Sequence, residues 1–250
     1  MSNTNSLTTG VYEGKAKRIV PRSANEVAII YKDDATAFNG QKHSQFAGKG
    51  VLNSQITERL FLFLEASGIR THHLGRLDEN TLLAKPAKIL PIEVVVRFLV
   101  AGSLQKRTDL PENSVCEPPI VEFYYKRDDL GDPIINEDHI RLLNAATAEE
   151  VQLLRREALA IGLKLKQLFA LAEIDLVDMK LEFGRTNDGV VLCDEISPDT
   201  CRFRDHSTGN ILDKDRFRHD LGDLLGGYRE VLARLDSALL KSTPVIGAKS

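Results

Sequence analysis

Cysteine is scarce in this chain of 250 residues, which contains three cysteines and no tryptophan. Cys116, Cys193 and Cys201 are odd in number, and no two of them form a CxxC pair. Disulfide-stabilised domains and structural zinc sites need paired or clustered cysteines, so this pattern argues against both. The three thiols are therefore predicted to be reduced and structural.

Long apolar segments are missing as well. No run of about 18 apolar residues, the length that a membrane span needs, occurs in the sequence. The first ten residues, MSNTNSLTTG, are polar and lack the apolar centre of a secretory signal. We therefore expect a cytoplasmic protein.

An excess of positive charge is also lacking, because the formal net charge is -3. Nucleic-acid binding needs clustered lysines and arginines that displace counterions, so nucleic acid is not expected as a partner. The phosphate-binding patterns GxxxxGK[ST] and GxGxxG are absent too, since Gly48 and Lys49 are followed by Gly50. This excludes a P-loop and a Rossmann dinucleotide site.

Two β-prone runs near the start, residues 12–20 and 27–31, are separated by a turn-forming segment. This arrangement predicts a hairpin. Apolar residues then recur at helical spacing over residues 52–64 and end before Gly68, a plausible C-terminal cap. The helix is expected to pack on the sheet of the hairpin.

Two longer amphipathic helices are predicted in the second half. Thr147 and Glu150 have the spacing of a capping box, and an apolar stripe follows them as far as Ala172. A second stripe over residues 217–235 predicts a closing helix. The sequence contains no internal repeat, and we expect one compact unit of two lobes with a boundary near residues 88–91.

The segment 175–196 alternates polar and apolar residues in an unusual way. Asp178, Lys180 and Glu182 are expected to face one side of a strand and apolar residues the other. Asn187-Asp188-Gly189 suits a three-residue hairpin loop, in which Thr186 would pair with Val190. That register would set Glu182 directly opposite Asp194.

Opposite carboxylates would lie roughly 5 Å apart at their Cβ atoms and would repel each other unless a cation lies between them. Magnesium suits such a pair, because it binds one or two protein carboxylates together with water and phosphate oxygens. Lys180, diagonal to Asp194, could balance charge or contact a nucleotide. The alternative is an ordinary solvent-exposed charged hairpin.

The segment Tyr12-Glu13-Gly14-Lys15-Ala16-Lys17-Arg18 gives a second phosphate-binding signal. A glycine allows close approach of the backbone to phosphates, and Lys15 and Lys17, alternating on a strand, would point to one side. A solvated basic hairpin is the alternative interpretation.

A third group of residues is suited to a phosphomonoester. Arg97, Ser103 and the distant Arg202 would supply guanidinium groups and a hydroxyl. Arg97 could instead be a core arginine paired with Glu93. His72 and His73 are interpreted as surface or core residues, because no third metal ligand has a recognisable spacing.

These segments together resemble the SAICAR synthetase family of purine biosynthesis over nearly the whole chain. The resemblance rests on seven blocks in order: YEGKAKR (12–18), DDATAFNG (33–40), GKGVLNSQIT (48–57), PIEVVVR with AGSL (91–104), LVDMKLEFG (176–184), CDEISPDTCRF (193–203) and DKDRFR (213–218). The chain departs from the family at Phe98, where asparagine is frequent, and at Arg204, where tryptophan is frequent.

The resemblance implies a two-lobed α+β fold with antiparallel sheets, related to the ATP-grasp and kinase folds, with ATP in the interlobe cleft. Residues 1–90 would form an ATP-binding lobe that carries the phosphate-contacting hairpin. Residues 91–250 would carry the magnesium and ribonucleotide sites. The implied reaction joins L-aspartate to carboxyaminoimidazole ribonucleotide at the expense of ATP, through an acyl phosphate. A homodimer is also implied.

The resemblance also implies a role for each matching residue. Glu182 and Asp194 would hold Mg2+, with Lys180 as the third catalytic residue, beside the nucleotide. The implied ATP contacts are Lys15, Lys17, Lys180 and, around adenine within residues 85–89, Lys85 and Ala87. The implied substrate contacts are Arg97, Ser103, Asp199 and Arg202 for the ribonucleotide, with Asp34 and Lys126 as candidates for aspartate.

Two rival functions share some of these features. A small-molecule kinase on a similar fold would keep the lysines and carboxylates but transfer phosphate to a hydroxyl group. A nucleotide-binding regulatory module would have no reason to keep Lys180, Glu182 and Asp194 on one polar face. The ribonucleotide blocks favour the ligase over both.

Overall fold

The computed structural model describes residues 10–38 and 40–242. This part of the chain combines antiparallel sheets with helices, which confirms the predicted α+β class. Its strands are β1 (Tyr12–Glu13), β2 (Lys17–Ser23), β3 (Glu26–Tyr31), β4 (Asp34–Ala37), β5 (Lys42–Gln45), β6 (His73–Asp78), β7 (Thr81–Ala84), β8 (Lys88–Leu99), β9 (Val115–Tyr125), β10 (Ile134–Ile135), β11 (Ile174–Thr186), β12 (Gly189–Cys193) and β13 (Cys201–Asp205). Its helices are α1 (Lys49–Ala66), α2 (Ser103–Thr108), α3 (Glu137–Leu142), α4 (Ala148–Leu171), α5 (Asp215–Arg218) and α6 (Leu224–Ser242), with a 3-10 turn at Asp128–Leu130.

The strands form two larger sheets and a small hairpin. The first sheet has the order β1-β2-β3-β7-β6, and the second has the order β10-β9-β8-β11-β12, with β13 also paired to β11. Strands β4 and β5 form the hairpin. The expected boundary between residues 90 and 91 falls inside β8, which is the first strand of the second sheet along the chain. The division into two lobes stays a prediction.

The main core lies between α4 and one face of the second sheet. Val94 and Val96 of β8 stand directly opposite Leu181 and Met179 of β11, and all four are buried. Helix α4 begins with the predicted capping box, in which Thr147 accepts from the backbone N–H of Glu150. The apolar face of the sheet is thereby covered, and its other face remains for polar residues.

Phe98, one of the two departures from the family pattern, is part of this core. Its side chain is almost fully buried, and Lys166 of α4 lies with Nζ 5.0 Å from the centre of the ring. Gly162 permits the close packing, because a Cβ there would lie 3.1 Å from both Phe98 and Val96. The aromatic ring is therefore accommodated by the helix above it.

Two expectations about element bounds are wrong. The strand predicted over residues 12–20 is interrupted by a turn, in which the N–H of Gly14 donates to the carbonyl of Lys17 at 2.8 Å. The closing helix predicted over residues 217–235 is split into α5 and α6. Gly222 takes φ 71° between them, and the Asp223 carboxylate accepts from the N–H of Gly226 at the start of α6.

Other expectations are confirmed. Helix α1 covers the predicted apolar stripe and is followed by Gly68 in the left-handed conformation. It packs against β3, β6 and β7 of the first sheet, and against α6. None of the helices within residues 10–38 and 40–242 is long and apolar enough to cross a membrane.

Candidate active site

Strand β11 carries the predicted alternation, and its polar face is the floor of the site. Asp178, Lys180 and Glu182 stand directly opposite Arg97, Val95 and Glu93 of β8. Directly opposed residues in an antiparallel pair lie on the same face of the sheet. Glu93 and Arg97, which lie among the apolar residues of β8, therefore meet the charged residues of β11.

The predicted pairing of Glu182 with Asp194 is wrong by one residue. Thr186 pairs with Gly189 across a two-residue turn, so Glu182 stands opposite Cys193, and Asp194 follows the end of β12. The Thr186 hydroxyl stabilises this shorter turn by donating to the carbonyl of Gly189 at 3.1 Å. Asp194 reaches its position in the left-handed conformation, with φ 65°.

Lysines surround the carboxylates on this face. Glu182 accepts from Lys126 at 2.6 Å and from Lys180 at 3.0 Å. Lys180 also donates to Glu93 at 2.6 Å, and Asp194 accepts from Lys17. We refer to this group as the lysine–carboxylate cluster, and its members are Lys17, Glu93, Lys126, Lys180, Glu182 and Asp194.

The lysine–carboxylate cluster changes the expectation that Glu182 and Asp194 repel each other. Burial acts to raise the pKa of Asp194, but Lys17, Lys180 and Lys126 outweigh burial and lower the pKa to about 2. Burial likewise acts to lower the pKa of Lys180, but Glu182 and Glu93 raise it. The carboxylates are therefore balanced by the lysines of the chain itself, and no dication is needed to relieve their repulsion. With Glu182 only 3% exposed, the solvent-exposed hairpin is excluded.

Lys15 and Lys17 do not share a face of one strand as predicted. Lys15 lies in the turn between β1 and β2, and its Nζ is 2.8 Å from Asp128. Lys17 is the first residue of β2 and is largely buried, with Nζ 2.8 Å from Glu195 and in contact with Asp194. The glycine turn separates the two ammonium groups, and of the two only Lys17 joins the cluster.

A polar cavity of about 370 Å³ opens beside the cluster, within the range of small-molecule sites. It brings together Arg97, Ser103, Asp199 and Arg202, the four residues that the resemblance implies for the ribonucleotide. Its other lining residues are Glu93, Val95, Tyr124, Asp132, Asp178, Lys180, Thr200, Cys201, Lys214 and Arg218. Lys180 and Glu93 thus belong both to the cluster and to the cavity.

Arg97 is buried, but it does not pair with Glu93 as the alternative interpretation required. Its guanidinium donates to Glu122 at 2.8 Å, to Asp178 at 2.7 Å and to the Ser103 hydroxyl at 3.0 Å. These bonds fix the guanidinium plane at the cavity wall. A phosphate or carboxylate bound there would meet a preorganised donor.

Arg202 is on β13, which pairs with the opposite edge of β11 from β8. It donates to Asp178 at 2.8 Å and to Asp215 at 2.9 Å. Gly102 permits this position, because a Cβ there would lie 2.6 Å from Arg202 Nη2. Arg204, the second departure from the family pattern, points to Asp213 instead, at 2.8 Å. Its Nη2 also lies 3.6 Å from Asp215 Oδ2, the oxygen that Arg202 contacts, and Arg204 is not among the described residues that line the cavity.

The residues implied for adenine lie away from the cavity. The N–H of Lys85 donates to the carbonyl of His72 at 2.7 Å, and its Nζ lies 2.8 Å from Asp188. Lys85 lines a second cavity of about 310 Å³ beside Pro86. Ala87 packs against Gly184 of β11, whose added Cβ would lie 2.9 Å from it.

The two candidates for the aspartate pocket come from different elements, Asp34 from β4 and Lys126 from the residue after β9. Lys126 belongs to the lysine–carboxylate cluster. Asp34 accepts from His43 at 2.6 Å, and neither Asp34 nor Lys126 is among the described residues that line the cavity of Arg97 and Arg202. His72 and His73 are both buried, which places them in the core.

Sequence reasoning missed several residues of the site. Asp178 was placed on the polar face of β11, but its bonds to two arginines depend on the pairing of β11 with β8 and β13. Lys214 and Arg218 lie in the DKDRFR block, which carried no assigned role. Lys49 is fully buried against Asp199, and no periodicity would indicate a buried lysine.

Comparisons with known proteins identify relatives over most of the chain. The SAICAR synthetase family model matches residues 10–235. A phosphoribosylaminoimidazole-succinocarboxamide synthase of Bacillus mycoides is 52% identical over 230 residues, or 91% of this chain and 96% of that protein. A solved SAICAR synthetase in complex with ADP is 47% identical, with a TM-score of 0.89 over 91% of this chain and 98% of its own. The corresponding synthase of Ehrlichia chaffeensis is 43% identical, with a TM-score of 0.88 over 90% and 97%. The chain therefore belongs to the SAICAR synthetase family.

Proposed function

We infer that this protein is an ATP-dependent ligase of purine biosynthesis. It joins L-aspartate to the carboxylate of carboxyaminoimidazole ribonucleotide and releases ADP and phosphate. One observation from the geometry supports this inference. Lys180 and Glu93 belong to the lysine–carboxylate cluster and also line the arginine-lined cavity. A group that handles phosphoryl charge thus adjoins a pocket for an anionic substrate.

We assign the nucleotide to the cluster side. The Lys17 and Lys180 ammonium groups are suited to ATP phosphates, because phosphoryl transfer depends on positioning and charge stabilisation. Lys15 would reach the phosphates from the β1–β2 turn by exchanging Asp128 for a phosphate oxygen. Lys85 and Ala87 remain the proposed adenine contacts.

We assign the ribonucleotide to the cavity, with Arg97, Ser103 and Arg202 as the anchors of its anionic groups and Asp199 on the adjoining wall. These residues would orient the imidazole carboxylate toward the γ-phosphate. A carboxylate oxygen would then bond to the γ-phosphorus as the bond to ADP breaks. The amine of aspartate would attack the acyl carbon, lose a proton and expel phosphate.

The donor chemistry of the cluster fits magnesium, which prefers carboxylate oxygens and shares its coordination with phosphates. Glu182 and Asp194 would hold the ion, which supplies neutralisation of phosphate charge when bound. The lysine bonds fall on Glu182 Oε1 and Asp194 Oδ1, which would have to exchange a lysine for the ion or bind through their second oxygens. Lys126 then becomes available for a carboxylate of aspartate, and Asp34 stays the second candidate.

The test measures phosphate release from ATP with the other components supplied singly and together. We expect release when carboxyaminoimidazole ribonucleotide, L-aspartate and magnesium are all present, and little when any is omitted. L-Malate is a matched control, because it replaces the amine of aspartate by a hydroxyl group. ADP formation with L-malate that leaves the phosphoryl group on the malate hydroxyl, without release of free phosphate, would contradict the ligase and favour a kinase. The homodimer and the cytoplasmic location stay predictions.

A further inference from the structure

Asp199 is held from behind the cavity wall by two side chains that do not line the cavity. Lys49 Nζ lies 2.5 Å from Asp199 Oδ2, and Tyr228 donates its hydroxyl to Oδ1 at 2.5 Å. Both Lys49 and Tyr228 are fully buried, and neither is among the described residues that line the cavity. Asp199 and Lys214 do line it, with Lys214 Nζ 3.9 Å from Asp199 Oδ2.

Stability does not account for a lysine at this position. Lys49 is the first residue of α1, where the helix dipole disfavours a positive charge. A buried ion pair also loses hydration, and well-packed apolar residues in its place are often neutral or stabilising. The pair therefore calls for a role at the cavity that Asp199 faces.

The backbone of Asp199 is fixed as well as its side chain. Its N–H donates to the Ser197 hydroxyl at 3.1 Å, and that hydroxyl donates to Glu195 Oε2 at 2.6 Å. Glu195 Oε1 lies 2.8 Å from Lys17 Nζ. The segment 195–199 is thus held at one end by Lys17 of the cluster and at the other by Lys49.

We propose that Lys49 and Tyr228 are positioning residues that keep the Asp199 carboxylate ionised and fixed in direction, as an acceptor for a hydrogen-bond donor of the ribonucleotide. The inference rests on the proposed function, which places the ribonucleotide in this cavity. Burial acts to raise the pKa of Asp199, but Lys214, Lys49 and the Tyr228 hydroxyl lower it. Removing either buried partner weakens that effect without removing any group that lines the cavity.

The test measures ribonucleotide affinity by calorimetry in the full-length protein. Tyr228→Phe removes one hydroxyl and keeps the ring, so we expect ribonucleotide affinity to fall about 5- to 10-fold. ATP affinity should be unchanged, and the acidic limb of the pH dependence of ribonucleotide binding should move to higher pH. Lys49→Met should lower ribonucleotide affinity further and move the acidic limb to a still higher pH. Lys49→Arg should partly restore both the affinity and the position of the acidic limb. Tyr125→Phe is the matched control, because it removes the same hydroxyl from a tyrosine that packs against Arg127, whereas the described hydrogen bonds to the Asp199 carboxylate come from Lys49 and Tyr228.

A double-mutant cycle separates positioning from a structural effect. In an Asp199→Asn background, Tyr228→Phe should no longer change ribonucleotide affinity. Two results would overturn the inference. One is a Tyr228→Phe variant with a lower melting temperature but unchanged ribonucleotide affinity. The other is the same loss of ribonucleotide affinity on Tyr228→Phe in the wild-type and Asp199→Asn backgrounds. If Lys49→Met does not fold, Tyr228→Phe and the double-mutant cycle still test whether the buried partners of Asp199 position it.

Binding and turnover distinguish this inference from the proposed function. Ribonucleotide binding without aspartate-dependent phosphate release would contradict the ligase, and the cycle would still decide the role of Tyr228. Aspartate-dependent turnover by the wild type, with no coupling between Tyr228 and Asp199 in the double-mutant cycle, would overturn the positioning role and leave the ligase assignment intact. Absence of ribonucleotide binding by the wild type would overturn both.

Discussion

Arg97 and Arg202 donate hydrogen bonds to one and the same atom, Oδ2 of Asp178, at 2.7 Å and 2.8 Å. The arginines come from β8 and β13, which flank β11 on opposite sides. One carboxylate on the central strand therefore fixes the spacing of two guanidinium groups. Such preorganisation reduces the conformational entropy lost on binding.

Replacing Arg202 by alanine should chiefly weaken ribonucleotide binding. Loss of a charge-assisted contact commonly costs about 1.5 to 3 kcal/mol, which is a fall in affinity of roughly 10- to 100-fold. Asp178 keeps Arg97 and Asp215 keeps Arg218 as partners, so the fold should persist. Calorimetric titrations with the ribonucleotide and with ATP provide the measurement. Arg156→Ala on the exposed surface of α4 is the control, and lost ATP affinity with unchanged ribonucleotide affinity would show that the two sites are exchanged.

Replacing Asp194 by asparagine should remove most activity, because an amide attracts a hard dication more weakly than a carboxylate does. We also expect the variant without ligands to melt at a lower temperature. Its carboxylate is partly buried and contacts Lys17, and losing its charge leaves the positive charge of the lysines uncompensated. Apo melting temperatures and the shift caused by magnesium with ATP provide the measurement. Near-normal activity with an unchanged magnesium-dependent shift would contradict the metal site, and Asp138→Asn is the control.

The same carboxylate should make stability depend on pH. Its pKa is lowered in the folded state from the usual 3.8 to about 2. A depressed carboxyl pKa stabilises the fold above the unfolded value, and this stabilisation is lost as the pH falls through the folded value. The contribution is on the order of 2 kcal/mol at neutral pH. Denaturant titrations should show that the difference between wild type and Asp194→Asn shrinks between about pH 4 and pH 2, and a constant difference would contradict this assignment.

The capping box of α4 allows stability to be changed without altering the site. Thr147→Ala removes the side-chain acceptor for the N–H of Glu150 and should cost about 1 kcal/mol. For a chain of this size, that corresponds to a fall in melting temperature of roughly 2 to 4 °C. Steady-state kinetics should be unchanged. Altered affinity for either substrate would mean that α4 influences the site directly.

The sequence predicted the polar face of β11 correctly, because residues two apart on a strand face the same side whatever the strand pairs with. The register of β11 with β12 depended on whether the turn between them has two or three residues. The Asn187-Asp188-Gly189 pattern does not decide between these turn lengths. Glu182 was therefore placed opposite Asp194 instead of Cys193.

Long-range pairing accounts for most of what was missed. Arg97 and Asp178 are 81 residues apart in the chain, and Lys49 and Asp199 are 150 apart. No local pattern connects either pair, and a buried lysine contradicts the usual exposure of that residue type. Residue chemistry grouped Arg97, Ser103 and Arg202 as a phosphomonoester site, and the resemblance to the family added Asp199.

The fate of the carboxylate oxygen tests the central claim most directly. Carboxyaminoimidazole ribonucleotide labelled with oxygen-18 in its carboxylate is converted with ATP, magnesium and L-aspartate, and the released phosphate is analysed by mass spectrometry. If the carboxylate attacks the γ-phosphorus and the aspartate amine then expels phosphate, one labelled oxygen must appear in each phosphate formed. Phosphate without label, released at the rate of amide formation, would contradict activation of this carboxylate by ATP.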